Sequence, residues 1–340
     1  MLTYTIRRLI LAVPTLLFIS FIIFIIVKLS PSDPTAGLPL TIPPEVREQI
    51  RESLGVNDPL LIQYLKWLKL MVWDEPLHAI DGWFGTAWAP DGPRIISYQT
   101  RAPVFEWVGE RMPQTLWVVG TSYIVGVVIA LPLGIISAYK QYSVFDQLGT
   151  FISMLGFSVP TFFTGVLFIV IFSVWIDQDS IFWLPSVYDT TLEVVDWETF
   201  KTQFRQMIMP VMVLGLFNAA QISRYMRASM LDNLNQDYVR TARAKGLGEK
   251  TVVLVHVLRN SMIPVVTVIA LNVPAVFGGA IITEQVFKVN GIGQLLIVAI
   301  QAGDVPVVQT VSFIFAVLIV LFNLIADILY GVLDPRIRYD

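Results

Sequence analysis

The chain is predicted to be all-α: a polytopic membrane protein with six transmembrane helices. Three observations predict this. Apolar residues fill 55% of the 340 positions and charged residues only 14%, against about 25% charged in ordinary soluble domains. The mean hydropathy is +0.67. Apolar stretches of about 20 residues, the length that crosses the hydrocarbon core, recur at 9–28, 115–138, 148–175, 207–225, 265–283 and 308–331. So few charges cannot coat a soluble globule of this size, and so much apolar surface excludes a disordered chain. The formal charge of −3 gives no footing for nucleic acid. With no cysteine, disulfides, thiol catalysis and thiolate metal sites are excluded.

The first stretch follows Arg7 and Arg8, as a signal peptide would. It is too long for a typical signal h-region, and no small-residue cleavage site follows Lys28, so it reads as a retained helix. Excess Lys and Arg marks the cytoplasmic side of short loops. Arg7, Arg8, Lys140, the seven basic residues from Arg224 to Arg259, and Arg336 and Arg338 all fall on one side of a six-helix arrangement. Asp177, Asp179, Asp189, Glu193, Asp196 and Glu198 fall on the other. Both termini are therefore expected in the cytoplasm. The chain divides into an N-terminal helix (1–28), a long external segment (29–112) and a five-helix core (113–340) that includes the cytoplasmic loop 226–264.

Within the external segment, the polar run 45–54 behind Pro44 reads as a short helix. Leu60, Leu61, Tyr64, Leu65, Trp67, Leu68 and Met71 then recur at helical spacing, with Lys66 and Lys69 beside the tryptophans. That pattern fits a helix lying at the membrane surface, or one packed against the bundle. The Gly- and Pro-rich part, 81–103, reads as loop. Pro132, Pro160, Pro210 and Pro274 fall in spans two to five, where neighbouring helices can satisfy the freed carbonyls.

ATP chemistry is not expected. The nearest text to a phosphate-cradling loop, Gly248-Glu249-Lys250-Thr251, is broken by Glu249. His78 and His256 lie on opposite sides of the membrane and cannot share a metal. Asp327 is the clearest charge within a span, and it reads first as an interfacial carboxylate, solvated or paired with a basic residue. Asn218, Gln221, Asn272 and Asn323 are neutral polar residues within spans. They suit hydrogen bonds between helices or the lining of a solute path.

Loop 226–264 is the most informative text. Asp237 is placed to cap a helix, and Gly246 to end it with a left-handed residue, giving about two turns. Tyr238 offers a knob for a partner's groove, and the small Ala242 and Ala244 allow close approach. Composition by itself also allows an amphipathic helix held by anionic lipid.

Asp237 to Leu247, followed by His256, Leu258, Arg259, Asn260, Ile263 and Pro264, resembles the EAA loop of binding-protein-dependent ABC importer permeases. The likeness is to the dipeptide and oligopeptide branch, with Arg240-Thr241-Ala242 where the general pattern has Glu-Ala-Ala. Further residues match in order: Tyr4, Ile6 to Leu9 and Pro14; Pro31, Asp33 and Pro34; Leu54-Gly55, Asp58-Pro59-Leu60 and Gln63 to Leu65; Arg111, Pro113, Thr115 and Leu116; Ser158, Pro160, Phe162 and Gly165; Glu284, Phe287 and Gly291 to Gly293; Asp304 to Gln309; and Asn323, Asp327, Leu329-Tyr330 and Leu333 to Arg338. Segment 176–206 matches poorly.

The resemblance implies a subunit that pairs with a homologous permease to form a translocation path in a prokaryotic inner membrane. Two ATPase subunits, holding ATP and Mg, would sit on the cytoplasmic face, and an extracytoplasmic binding protein would deliver solute. This chain would hold no cofactor and hydrolyse nothing. It implies that Tyr238, Arg240, Thr241, Ala242, Ala244, Lys245, Gly246 and Leu247 form a coupling helix seated on an ATPase. It places Gly291 and Gly293 in a dip from the external face that contacts the binding protein or solute. The expected solute is a short peptide, although relatives of this kind also carry nickel complexes and oligosaccharides. An autonomous carrier or channel would need no partner, but the near-absence of charge in the spans speaks against a proton-driven one.

Overall fold

The computed structural model describes residues 2–29, 43–45, 58–90, 92–189, 191–192 and 194–333. The expected helix over 45–54 is described only at Glu45, which is helical; its remainder, 46–54, and the matching fragments at 31–34, 54–55 and 334–338 lie outside the described residues. Among those described, the regular structure is helical, with one isolated bridge between Ile96 and Pro103.

Five helical segments are long and apolar enough to cross a bilayer: Thr5–Lys28, Val104–Tyr139, Trp197–Leu234, Glu249–Pro274 and Val305–Ile328. Two sharply bent helix pairs, Val144–Ser158 with Thr161–Val174 and Ala280–Phe287 with Ile292–Gln301, raise the possible number of spans to seven. The expected span over 148–175, which carries Pro160, is broken rather than merely kinked. That segment bends by 103°. Val159 is extended (φ −85°, ψ 127°) because the ring of Pro160 excludes the helical conformation from the residue before it. Pro160 then caps the second limb instead of kinking a continuous helix.

The chain folds as two compact units. The first contains 1–8, 114–294 and 321–340. Its helices are α4 (Val104–Tyr139, from Gln114 onward), α5 (Val144–Ser158), α6 (Thr161–Ile169), α7 (Trp197–Leu234), α8 (Asp237–Ala244) and α9 (Leu258–Phe287). α7 starts at a reciprocal capping box between Asp196 and Thr199. Its most apolar window is the least hydropathic of the five and 72% buried, so α7 is the central helix of the unit. In lipid the hydrophobic effect does not drive helices together, so contact relies on small residues that let backbones approach. Gly126 and Gly134 on α4 meet α7 in this way, as do Gly149 and Gly156 on α5 with their neighbours. A methyl at Gly134 would lie 2.6 Å from Met226 Cβ and 2.7 Å from the Ser223 carbonyl oxygen. Gly134→Ala is therefore expected to push α4 from α7 and cost about 1–3 kcal/mol, read as a lower melting temperature of the detergent-solubilised protein.

Segment 176–206, unmatched in the sequence, is packed. The Trp183 indole donates to the Ser173 carbonyl at 3.2 Å, and Tyr188 joins Gln114 and Gln203 at 2.8 Å each. Asp327 has the basic partner expected of it, Arg8 at 2.9 Å.

The second unit contains 9–113 and 295–320. α2 (Leu60–Lys69) buries Tyr64 and Trp67 on one face. The Tyr64 hydroxyl meets that of Ser20 at 2.8 Å, the rings of Phe21, Phe24 and Trp67 cluster about Tyr64, and Phe313 meets Trp67 edge-on. Leu60, Leu61 and Leu65 remain exposed on the other face. Packing against α1 (Leu2–Lys28) is thus the reading realised on one side of α2. The expected loop over 81–103 is corrected at its start, because α3 (Glu75–Phe84) runs through Phe84 before Gly85 turns left-handed at φ 67°. The rest is irregular but pinned. Asp81 accepts from the Thr86 hydroxyl and the N–H groups of Trp88 and Ala89, which hold its carboxyl below the usual range. Buried Glu75 accepts from the Ile95 N–H at 2.6 Å and from Arg94 at 3.0 Å. Asp304 accepts from the Ser97 hydroxyl and the Tyr98 N–H.

Candidate functional site

α8 is a two-turn helix set between the end of α7 and the π-helical turn Val252–Val257 that leads into α9. Its start differs from expectation. Gln236, extended at ψ 154°, is the cap residue, and Asp237 is already helical, so its carboxylate caps nothing. Asp237 instead adds negative charge to the first turn, where the helix dipole favours it. The end is as the sequence predicts: Gly246 is left-handed at φ 78°.

The two faces of α8 do different work. Val239 and Ala242 are buried and share a core with Met226 and Met230 of α7, Ala138 of α4, and Val252 and Val257 of the π-helical turn. Tyr238, Arg240, Thr241, Ala244, Lys245, Gly246 and Leu247 are exposed. Ala242 is therefore removed from the presented face: its methyl keys the helix into its own bundle. Tyr238 is steadied by a 2.8 Å hydrogen bond from its hydroxyl to Asn233. Arg243 forks onto Glu249 at 2.7 and 3.2 Å, which ties the C-terminal end of α8 to the next helical turn and raises the guanidinium above its ordinary value. The Arg240–Asp237 pair is exposed at 3.4 Å and adds little. The result is a surface helix whose inner face shares one buried core with α7 and α9.

Asn218, Gln221 and Asn272 come together at a cavity of about 390 Å³, walled by Phe157, Phe162 and Phe217 and by the broken turn Ser158-Val159-Pro160. Cavities of roughly 300–1,000 Å³ hold small molecules. None of its lining residues is ionised. Asn218 donates to the Leu214 carbonyl at 2.9 Å. Asn323 does not join this group, and its side chain is exposed elsewhere on α10 (Val305–Leu333).

Gly291 and Gly293 are buried, and the structure explains them internally. They fold around the carboxylate of Glu284, 1% exposed, which accepts from the Thr115 hydroxyl at 2.8 Å and the Gln294 N–H at 2.9 Å. A Cβ at Gly291 would lie within 2.4 Å of that carboxylate, and one at Gly293 would lie 2.7 Å from the Ile281 Cα, a backbone atom that cannot give way locally. Both glycines thus face a buried carboxylate of their own chain.

Two features escaped the sequence reading. Asp146, 3% exposed, receives Arg227 Nε at 2.7 Å and Nη2 at 2.8 Å, a buried two-pronged ion pair joining α5 to α7. Ser143, three residues before Asp146, was the available signal, since its side chain caps α5. Arg224 lies over the Phe157 ring, 4.5 Å from the centroid. No local pattern pairs residues so far apart in the chain.

Residues 130–339 match the family described as binding-protein-dependent transport system inner membrane component, and residues 1–119 match its N-terminal counterpart. The chain is 39% identical to the oligopeptide transport system permease protein AppB of Bacillus subtilis, and the match covers 100% of both chains. It is 36% identical, again over 100% of each, to the glutathione transport system permease protein GsiC of Salmonella typhimurium and to that of Escherichia coli K12.

Proposed function

The chain belongs to the family of binding-protein-dependent transport system inner membrane components, and from that premise we propose that it is a permease subunit of an ABC importer for short peptides. It forms half of the translocation path beside a second, homologous permease. The observation that carries the reading is α8, with an exposed outer face and an inner face built into the bundle core. Such a helix suits docking on an ATPase, and this chain's own text lacks an ATP-binding loop. Nucleotide-driven closure of two ATPase subunits, which supply ATP and Mg, biases a two-state bundle through α8. Tyr238, Arg240, Thr241, Ala244, Lys245, Gly246 and Leu247 are the coupling surface, and Ala242 anchors it from behind.

In this reading the bent pair over 144–174 counts as one span, which makes six. Both termini lie in the cytoplasm of a prokaryotic cell, and the segment after α1 faces outward toward a solute-delivering binding protein. The division into 1–28, 29–112 and 113–340 follows the same topology. Asn218, Gln221 and Asn272 line the path. Peptide is the favoured solute because the named relatives are oligopeptide and glutathione permeases, and neutral amides pair naturally with peptide bonds.

The test is affinity purification of the tagged chain from its native membrane in mild detergent, with mass spectrometry of what accompanies it. A second similar permease and one or two ATPases are expected. Recovery of the chain alone, or as a homo-oligomer without an ATPase, overturns the proposal.

A further inference from the structure

Two arginines stand three residues apart on α7 and live differently. Arg227 is fully committed, its Nε and Nη2 both on Asp146. Arg224 is half-buried and pairs with no carboxylate among the described residues. Its Nε is buried without a hydrogen-bond partner, and its guanidinium carbon lies 4.5 Å from the centroid of the Phe157 ring. A guanidinium stacked on an aromatic face keeps its N–H edge for a planar anion.

Its position is specific. Phe157 also stacks on Phe217, 6.0 Å between centroids, and both rings line the amide-bearing cavity. Phe217, Gln221 and Arg224 recur at the i, i+4, i+7 spacing of one helix face. At 1.5 Å per residue, Arg224 stands about 4.5 Å beyond Gln221 along α7. An extended peptide advances about 3.3–3.6 Å per residue. A peptide whose last amide reaches Gln221 therefore brings its terminal carboxylate to Arg224.

We propose that Arg224 is a carboxylate station at the α8 end of the cavity, where the C-terminal carboxylate of a short peptide docks while Phe157 holds the guanidinium. This rests on the peptide reading above. It supplies what the cavity itself lacks. Neutral amides read the peptide bonds that all such solutes share, and one free cation reads the terminal anion they also share. Side-chain identity goes unread. The Arg227–Asp146 pair shows the bonding in miniature, a guanidinium of the same helix gripping a carboxylate through Nε and Nη2.

The experiment uses the complete importer in proteoliposomes with its own binding protein at saturation, so that maximal rates report steps after capture. The probes are trialanine and trialanine amide, with capture of each by the binding protein measured separately. Wild type is expected to move the free acid faster. Arg224→Gln is expected to lower the maximal rate for the acid about tenfold, the factor a single well-placed interaction carries, and to leave the amide unchanged. Arg224→Lys keeps the charge and is expected to restore part of the difference. Equal loss for both probes, no change for either, or loss of subunit assembly on size exclusion overturns the assignment. If wild type moves both peptides and Arg224→Gln is silent, only the carboxylate station falls. If wild type moves neither peptide, the peptide reading falls and takes the station with it.

Discussion

Gly246→Val is expected to cut solute uptake at least tenfold while the assembled importer still hydrolyses ATP and the chain still inserts. Gly246 sits at φ 78°, and a Cβ there would meet nothing within 4 Å. Space is not the issue; the backbone is. A left-handed residue with a side chain costs about 1–2 kcal/mol, and a β-branched one more. Valine would relieve that strain by shifting the chain after α8, which moves the exposed Lys245 and Leu247 off the coupling surface. Since 1.4 kcal/mol is a factor of ten in a docking equilibrium, the effect on coupling is large. Gly246→Asn is the control, because asparagine tolerates this conformation and should keep most of the uptake. Uptake and ATP hydrolysis measured together in proteoliposomes decide the matter. Normal uptake by the valine variant would remove α8 from the mechanism.

The largest effect on stability is expected at Asp146. Asp146→Ala strands Arg227, whose side chain is only 28% exposed, without its counter-charge. Breaking such a buried pair from one side costs about 3–5 kcal/mol, and the partial exposure of Arg227 points to the lower end. The melting temperature of the solubilised protein should fall by several degrees, and less assembled importer should be recovered. Asp146→Ala combined with Arg227→Met should regain much of the loss, because the cost lies in the unpaired charge more than in the missing bond. A single variant as stable as wild type would mean that water or a partner subunit already compensates Arg227.

Part of the candidate site was legible from residue types. The two-turn helix after α7, its left-handed end at Gly246 and its place between two apolar stretches all follow from spacing and glycine chemistry. Its two faces did not follow. Eight residues carry too few apolar positions to fix a buried side, so Ala242 read as a surface residue until Met226, Met230 and Val257 were found packed in the same core. The amides divided in the same way. Asn218 and Gln221 sit one turn apart, but Asn272 reaches them only through the packing of α9 on α7. Asn323 is the residue that shared their chemistry without their location. Gly291 and Gly293 looked like a turn, and only the tertiary structure brings Glu284 against the first and the Ile281 backbone against the second.

By itself the sequence determined the class, the apolar spans and the kinship. Burying a helix in lipid needs about 20 consecutive apolar residues whatever their order, and motif fragments keep their order along the chain. Tertiary structure decided where the third apolar stretch breaks, which face of α8 is free, and which polar residues meet. Those outcomes depend on contacts between residues tens of positions apart, as with Asp146 and Arg227 or Phe157 and Arg224. Local spacing carries no information about such pairs, because what selects them is the close approach that glycines permit between α4, α5 and α7.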